Sequence, residues 1–378
     1  MYGFIKVAAA VPSVRVADCK FNTTQIEGMM ARAEGLGVEI IVFPELSITG
    51  YTCQDLFQQQ ILLEEAETSL LKIMEFSHNL NITTIVGLPL AYDGMLLNCA
   101  AIIQGGKIYG IVPKTYIPNY KEFYEARWFS SASRLGLQEQ ITFFGQQIPC
   151  GDHLLFNNGR FTFGVEICED LWATIPPSSK LSLHGAEIIF NLSSSNELVG
   201  KNAYLKGLIS NQSARCISGY VYAGSGYGES TQDIVFSGLG FIAENGHILE
   251  EGKRFSMQEQ LIVSEIDIDS LRQERRVNTT FASVKDLMQQ SDKGTYFQIE
   301  MNPTILDKER FTLTRNIPSH PFVPSADKID ECCEEILSIQ SEGLAKRIDH
   351  THAETVVIGI SGGLDSTLAL LVCVNAFD

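Results

Sequence analysis

Three polar residues, each placed directly after an apolar run, have side chains that together could hydrolyse an amide. Glu45 follows EIIVFP, Lys114 follows KIYGIVP and Cys168 follows FTFGVEI. Each run is typical of a buried β-strand. Ligands of α/β proteins bind beyond the carboxyl ends of strands, so these side chains could converge on one pocket. We take the three as candidate catalytic residues.

The chemistry of the three side chains is complementary. A thiolate attacks an amide carbonyl, but a free cysteine is mostly protonated at neutral pH. A carboxylate such as Glu45 can take the proton of Cys168 and later return it to the leaving ammonia. The ammonium of Lys114 can stabilise the tetrahedral oxyanion. Each residue also has an ordinary interpretation, as a small buried side chain, a loop carboxylate or a solvated lysine.

The elements that must position these residues alternate along the first 265 or so positions. Period-two alternation and β-branched runs predict strands, and longer segments between them predict helices, the first with Asn22 as a possible cap. Gly105–Gly106 and Asn245–Gly246 are typical two-residue hairpin turns, which indicates mixed sheets. The predicted strands are 4–11, 39–43, 83–90, 98–104, 107–112, 161–167, 187–193, 219–225, 238–244 and 261–267, and the predicted helices are 22–35, 58–79 and 197–217.

The composition changes after residue 267. Residues 268–345 are charged, contain several prolines and end in an amphipathic stretch, which predicts a connector followed by a helix. The run TVVIGISGGLDSTLALLVCV then predicts a strand, a turn and a helix. One strand and one helix cannot bury a core, so we expect the sequence to stop just inside a second domain.

The hexapeptide SGGLDS in this last unit could bind an anion. Its glycines permit close backbone approach, and the exposed N–H groups at the start of a helix attract phosphate. It is not a Walker A loop, because GxxxxGK[ST] is absent. A plain Gly-Gly turn between strand and helix is the ordinary alternative. The candidate anion-binding residues, which the resemblance described below implies to bind ATP, are Ser361, Gly362, Gly363, Asp365 and Ser366.

Composition excludes several classes of function. The 378 residues carry a formal net charge of -17, which disfavours a nucleic-acid partner. No stretch of about 18 apolar residues is present, so we expect no membrane span, and the N-terminal segment predicts a strand rather than a signal peptide. Nine scattered cysteines without a CxxC pair indicate free thiols in a reducing cytoplasm. His and Cys do not cluster at ligand spacing, so we expect no structural metal.

Three sequence segments resemble the signatures of the nitrilase, or carbon–nitrogen hydrolase, superfamily. They are FPELSITGYTCQDL, PKTYIPNYKEFYEARWF and GVEICEDLW, and they are most similar to the glutaminase domain of glutamine-dependent NAD synthetases over about residues 3–270. The resemblance implies Glu45 as base, Lys114 as oxyanion stabiliser and Cys168 as nucleophile. It also implies a four-layer α-β-β-α sandwich that assembles into homo-oligomers.

The same resemblance implies a set of residues around glutamine. Glu122, eight residues after Lys114, would orient the lysine or the substrate. Tyr120, and less clearly Tyr51, would line the glutamine pocket and the mouth of an ammonia tunnel. The stretch NLSSSNELVGK would hold the α-amino and α-carboxylate groups, and the expected contacts are Ser195 and Lys201. Phe129, Glu169 and Trp172 would form walls of the pocket.

The SGGLDS motif resembles the pyrophosphate loop of ATP-pyrophosphatase ligases. A glutaminase followed by this loop implies an amidotransferase: residues 1–270 hydrolyse glutamine, 271–345 link, and 346–378 begin a synthetase domain. The acceptor would be nicotinic acid adenine dinucleotide, with ATP and Mg²⁺ required only by the full synthetase. The chain alone would be at most a glutaminase. A stand-alone amidase or nitrilase for another small substrate, and a non-catalytic scaffold, are the alternatives.

Overall fold

Strand β1 (Phe4–Val11) shows how the sequence pattern builds the first sheet. Its eight residues all pair with β14, and residues 7–9 also pair with β2 on the other side, while its side chains alternate between two apolar cores. Val7 and Ala9 face one core, whereas Ala8 and Ala10 face the other. A strand that is buried on both faces must be continuously apolar, as FIKVAAAV nearly is.

The computed structural model describes residues 3–137, 139–304, 311–324, 326 and 328–377. The chain divides into two compact units, Met1–Arg315 and Asn316–Asp378. The strands of the first unit are β1, β2 (Ile40–Val42), β3 (Thr83–Tyr92), β4 (Met95–Gln104), β5 (Lys107–Pro113), β6 (Gln140–Phe143), β7 (Gln146–Pro149), β8 (Leu154–Asn157), β9 (Thr162–Ile167), β10 (Ile188–Ser193), β11 (Gly219–Gly224), β12 (Gly240–Glu244), β13 (His247–Glu251), β14 (Gln260–Asp267) and β15 (Phe297–Glu300).

The helices of the first unit are α1 (Cys19–Gly35), α2 (Gln60–Phe76), α3 (Pro177–Leu183), α4 (Lys201–Cys216), α5 (Ile268–Val277) and α6 (Thr279–Ser291). The second unit contains α7 (Ile329–Thr351) and α8 (Leu364–Phe377). Among the described residues, no helix combines the length and the apolar composition that a membrane span requires.

Two mixed sheets form the centre of the first unit. Within the described residues, one sheet has the order β14-β1-β2-β3-β4-β5 and the other has the order β13-β12-β11-β10-β9-β8-β15. Strands β1, β2 and β3 are parallel, and β3-β4-β5 is an antiparallel meander. Both expected hairpin turns are present, with positive φ at Gly105, Gly106, Asn245 and Gly246. The expectation of mixed sheets is confirmed.

The buried side chains define four layers. One core lies between the two sheets and contains Val7 and Ile40 from the first sheet and Val165 and Phe190 from the second. A second core packs α1 and α2 on the outer face of the first sheet. A third packs α3 and α4 on the outer face of the second sheet. This is the α-β-β-α sandwich that the resemblance implied.

Glu45 and Lys114 follow two strands of the first sheet that run in the same direction, and Cys168 follows β9 of the second sheet. Strand β5 is antiparallel to β4, which is antiparallel to β3, so β5 runs parallel to β2. The turn that carries Glu45 lies against Gly87 of β3, where an added Cβ would come within 2.3 Å of the Leu46 nitrogen. A glycine is therefore required at position 87 for Glu45 to take its place.

Three local expectations are wrong. Helix α1 begins at Cys19, and its cap is Asp18, whose side chain accepts a hydrogen bond from the Phe21 N–H. Asn22 instead bonds the backbone of Arg15 and Ile48. Residues 355–360, expected as a strand, are not paired with any described segment and therefore lack the ladder that defines one.

The third wrong expectation concerns the region after residue 267, which is more than a connector. It contains α5, α6 and strand β15, which pairs in parallel with β8. Further along, the Thr304 hydroxyl donates to the buried Glu39 carboxylate (2.8 Å), and the Thr314 and Arg315 amides donate to Glu265. The first compact unit therefore extends past residue 270, because these buried carboxylates bind residues of the following segment.

Candidate active site

A buried lysine lies between two buried carboxylates at the carboxyl end of β5. Lys114 Nζ is 2.6 Å from Glu45 Oε1 and 2.9 and 2.8 Å from the two oxygens of Glu125. The Lys114 and Glu45 side chains are fully buried, and that of Glu125 nearly so. Burial alone would lower the pKa of Lys114, but the charges of Glu125 and Glu45 raise it well above its usual value. Lys114 is therefore an ammonium.

The Glu45 carboxylate has one occupied and one open oxygen. Oε1 accepts hydrogen bonds from Lys114 and from the Asn98 amide (2.7 Å). Oε2 is buried and has no hydrogen-bond partner among the described residues. A buried, unpaired carboxylate oxygen is costly unless it serves a purpose. It is available to accept a proton from a reacting group.

Cys168 begins the turn after β9 in an unusual backbone conformation. Its φ is +45°, in the left-handed region that residues with a Cβ seldom adopt. Burial raises the pKa of its thiol, the Glu45 charge raises it further, and the Lys114 ammonium lowers it. The charges of Glu45 and Lys114 therefore act on the thiol in opposite directions. In the resting state Cys168 is a protonated thiol.

Glu125 completes the cluster, and it is not the glutamate that the sequence indicated. Burial raises the pKa of Glu125, the Lys114 ammonium lowers it, and the Glu45 charge raises it again. The Tyr51 hydroxyl donates to Glu125 Oε1 (2.8 Å), and the Tyr51 backbone N–H donates to the buried Glu229 (2.7 Å). Glu125 therefore orients Lys114 and is itself oriented by Tyr51.

Glu122 makes its described hydrogen bond with Asn196 and not with Lys114. Its carboxylate accepts a hydrogen bond from the Asn196 amide (2.7 Å). Lys201 Nζ donates to the backbone and side-chain oxygens of Asn196 (2.9 and 2.8 Å) and lies 5.2 Å from the centre of the Trp172 ring. Two expected substrate residues, Glu122 and Lys201, are thus joined through Asn196. The role of orienting the lysine falls on Glu125.

The other expected pocket residues, Tyr120, Ser195 and Phe129, have different surroundings. The half-exposed Tyr120 donates to Glu169 (2.8 Å), and its pKa is raised to about 12 by burial and by that carboxylate. Ser195 lines a small cleft with Asn196 and Lys201, whereas Phe129 is buried in the second core, on the outer face of the first sheet. A separate cleft is lined by Tyr51, Thr52, Gln54, Glu122, Phe123, Tyr124, Glu125, Trp128, Ser230, Gln232, Asp233 and Ile234. It reaches the carboxylate partner of Lys114.

The second unit carries the SGGLDS loop directly before α8. Gly362 has a φ of +85°, and residues 361–365 are exposed. The Ser361 N–H donates to the Ser366 hydroxyl (3.3 Å), and that hydroxyl donates to the Gly363 carbonyl (3.0 Å). Asp365 lies in the first turn of α8. The loop is open to solvent at the start of a helix, as an anion-binding loop must be.

Sequence reasoning missed Glu125, Tyr51 as the partner of Glu125, and Asn196. All three lie in loops or short turns whose course a strand pattern cannot give. The available signal for Glu125 was the segment YEARWF itself, since a carboxylate among aromatic residues is a candidate for burial.

Comparison with known proteins agrees with this geometry. The carbon–nitrogen hydrolase family model matches residues 6–276, and the NAD synthase model matches residues 336–378. The chain therefore belongs to the carbon–nitrogen hydrolase family.

Its relatives within that class are more specific. The chain is 35% identical over 382 residues to a glutamine-dependent NAD(+) synthetase of Mycobacterium tuberculosis, an alignment that covers 100% of this chain and 56% of the relative. A glutamine-dependent NAD(+) synthetase structure from Cytophaga hutchinsonii superposes with a TM-score of 0.62 at 29% identity, covering 70% of this chain and 43% of that one. The chain thus spans little more than half the length of the curated relative.

A carbon–nitrogen hydrolase structure from Helicobacter pylori shares the fold with a TM-score of 0.60 at 17% identity. The superposition covers 75% of this chain and 95% of that one. A hydrolase chain therefore shares this fold over nearly its whole length.

Proposed function

We propose that this chain is the glutamine-hydrolysing part of a glutamine-dependent NAD synthetase. One observation carries the proposal: a buried Lys114 ammonium held by Glu45 and Glu125, within electrostatic reach of the Cys168 thiol. The match of residues 336–378 to NAD synthase supports the amidotransferase assignment over a stand-alone amidase.

The first half-reaction transfers the γ-glutamyl group to Cys168. The open Oε2 of Glu45 accepts the thiol proton as sulfur attacks the side-chain amide carbon of glutamine. The C–S bond forms, and the carbonyl π pair moves to oxygen, where the Lys114 ammonium stabilises it. Collapse of this intermediate breaks the C–N bond. Glu45 returns the proton to the leaving nitrogen, so that ammonia and a thioester are formed.

The second half-reaction releases glutamate. Glu45, again a carboxylate, takes a proton from water as the water oxygen attacks the thioester carbon. The C–S bond then breaks, and the proton passes to the Cys168 sulfur. Lys114 holds the same oxyanion in both steps. It can do so because it makes two contacts to Glu125 and can yield one without losing the ion pair.

Recognition of glutamine is assigned to the group that surrounds Asn196. Lys201 would bind the α-carboxylate, and Glu122 would bind the α-ammonium, with Ser195 and Tyr120 completing the pocket. Support comes from the opposite charges of Lys201 and Glu122, both of which contact Asn196. Burial lowers the pKa of Lys201, because it disfavours the ammonium form. An incoming carboxylate would supply a counter-charge that favours this form.

The second unit would begin the synthetase domain. The exposed glycine loop at Ser361–Ser366 fits a nucleotide phosphate, because it leads into the N-terminal end of α8, where a helix attracts anions. Asp365 fits a Mg²⁺ ion carried by ATP, because a carboxylate is a preferred ligand of that ion. ATP would activate nicotinic acid adenine dinucleotide for amidation by ammonia. We assign 1–270 to the glutaminase and 346–378 to the start of the synthetase domain; within 271–345 the first compact unit extends to Arg315, and the residues after it form the link.

We further propose a cytoplasmic homo-oligomer that uses no cofactor for glutamine hydrolysis and binds neither nucleic acid nor membrane. The net charge of -17 supports the absence of a nucleic-acid partner, since it repels phosphate backbones. Nine free cysteines, six of them buried, suit a reducing compartment.

The proposal is tested by comparing substrates on the purified chain. We expect ammonia release from glutamine, a much smaller release from simple aliphatic amides and nitriles, and none from any substrate with Cys168→Ala. Preference for an aliphatic amide or nitrile would establish the stand-alone hydrolase instead. Hydrolysis by Cys168→Ala at the wild-type rate would remove the assigned nucleophile.

A further inference from the structure

One buried carboxylate joins the segment that carries Lys114 to the turn that carries Cys168. Asp170 is 1% exposed. Its Oδ1 accepts the backbone N–H of Thr115 (3.1 Å) and of Tyr116 (2.8 Å), and its Oδ2 accepts the backbone N–H of Ile167 (2.9 Å). A single side chain therefore satisfies amides on both sides of the reaction centre.

Both segments need such a partner. The Lys114 N–H still donates to the Asn98 carbonyl of β4 (2.8 Å), but the Thr115 and Tyr116 amides lie beyond this last ladder bond. Cys168 adopts a left-handed conformation that residues with a Cβ seldom adopt, and the hydrogen bond that the Ile167 N–H donates to Asp170 closes the turn around it. Strand β5 belongs to the first sheet and β9 to the second. Asp170 thus sets the distance between residues that come from different sheets.

Asp170 is not placed to exchange protons with a substrate. Burial raises its pKa well above its usual value, and the Ile167 and Tyr116 amides oppose that shift. Both oxygens are occupied by backbone N–H donors, so neither is open as Glu45 Oε2 is. Its influence on the reaction must pass through Lys114 and Cys168.

We propose that Asp170 is a positioning residue for glutamine hydrolysis, which holds the oxyanion-stabilising lysine in register with the nucleophile by binding the Thr115, Tyr116 and Ile167 amides together. This inference rests on the proposed function. A displacement of about 1 Å between reacting groups can cost about 100-fold in rate. The loss should appear in kcat, because the hydrogen bonds described for Asp170 go to the Thr115, Tyr116 and Ile167 amides and not to Glu122, Ser195 or Lys201.

The test is Asp170→Asn in the full chain, with Glu265→Gln as the matched control. Asparagine puts an NH₂ group where one oxygen accepted an N–H, so one of the two segments loses its partner. Glu265 is likewise a buried carboxylate that accepts two backbone amides, from Thr314 and Arg315, but it contacts neither segment. We expect Asp170→Asn to lower kcat about 100-fold with KM within threefold, and Glu265→Gln to lose stability with kcat within threefold.

The outcomes separate this inference from the function on which it rests. If the wild-type chain does not hydrolyse glutamine, the proposed function fails. If the wild type is active and folded Asp170→Asn retains kcat within threefold, the positioning role is overturned. An equal loss of kcat in Glu265→Gln would overturn it too, since general destabilisation would then explain the effect.

A measurement on the wild-type chain decides the case if Asp170→Asn does not fold. Hydrogen exchange should show the Thr115 and Tyr116 amides protected to a degree similar to the amides of β5, although they lie outside any strand. Free exchange of both amides would mean that the Asp170 contacts are not maintained in solution. That result would overturn the proposal.

Discussion

The two candidate sites of this chain differ in how much of each is assembled before a ligand arrives. Around Lys114, charged side chains are buried and bonded to one another. Around Gly362, the loop is exposed, and the hydrogen bonds described for it join residues of the loop and the start of α8. Attack on an amide needs charges fixed in a dry site before reaction. A phosphate loop needs open N–H groups, which the ligand itself satisfies.

The largest effect should follow from removing the central cation. In Lys114→Ala, two buried carboxylates lose their counter-charge, at a cost of about 3–5 kcal/mol in stability. Loss of an oxyanion donor should also lower kcat by about 100- to 1000-fold. Steady-state glutamine hydrolysis and urea denaturation measure the two effects. Retention of half the wild-type kcat would contradict the role of Lys114.

The two glutamates that follow Lys114 should separate into two kinetic classes. Glu125→Gln weakens the orientation of the lysine and should lower kcat by about 10- to 100-fold with little change in KM. Glu122→Gln removes the proposed contact to the substrate α-ammonium and should mainly raise KM. The two variants serve as controls for each other. The assignment is wrong if Glu122→Gln shows the larger loss of kcat.

The pH dependence of stability should report the burial of Glu125. Its pKa is raised in the folded chain from an unfolded value near 4.5, because burial opposes its charge. At pH values between the unfolded pKa and the folded pKa of Glu125, the folded state binds more protons than the unfolded state. The stabilisation that Glu125 contributes therefore falls as pH rises. We expect the free energy of unfolding of the wild type to decline relative to that of Glu125→Gln across this window. Urea denaturation from pH 4 to pH 8 measures it, and a relative increase would contradict the account.

The smallest effect should come from the exposed loop. Gly362 has a φ of +85°, so Gly362→Ala should cost about 1 kcal/mol locally. Because the glutaminase residues lie in the first compact unit and Gly362 lies in the second, glutamine hydrolysis should change less than twofold. Isothermal titration with ATP and Mg²⁺ and a glutaminase assay test the two sites separately. A tenfold loss of glutaminase activity would show that the sites are not independent in this respect.

Much of the fold could be predicted because the apolar pattern and the local turn chemistry agree. The bounds of β1 match the prediction residue for residue, and the Gly105–Gly106 and Asn245–Gly246 turns fix two hairpins. Short strands such as β15 were missed, since FQIE is half polar and is stabilised by its pairing with β8. Long-range pairing overrides a weak local pattern.

The site was predictable only where strands end. Glu45, Lys114 and Cys168 follow apolar runs, so their convergence could be inferred from sheet geometry. Glu125 could not, because it lies in a short 3₁₀ turn whose direction depends on tertiary contacts. Glu122 and Glu125 are three residues apart in the sequence, and it is the Glu125 side chain that contacts Lys114. That choice depends on the path of the loop rather than on strand periodicity.

The most direct test of the buried nucleophile is covalent labelling with a glutamine-analogue electrophile. The chain is incubated with 6-diazo-5-oxo-norleucine, and the masses of the intact protein and of its peptides are measured by mass spectrometry. The account predicts one adduct, on Cys168, that is absent from Cys168→Ala and slowed in Lys114→Ala. No adduct, or an adduct on another cysteine that persists in Cys168→Ala, would contradict it.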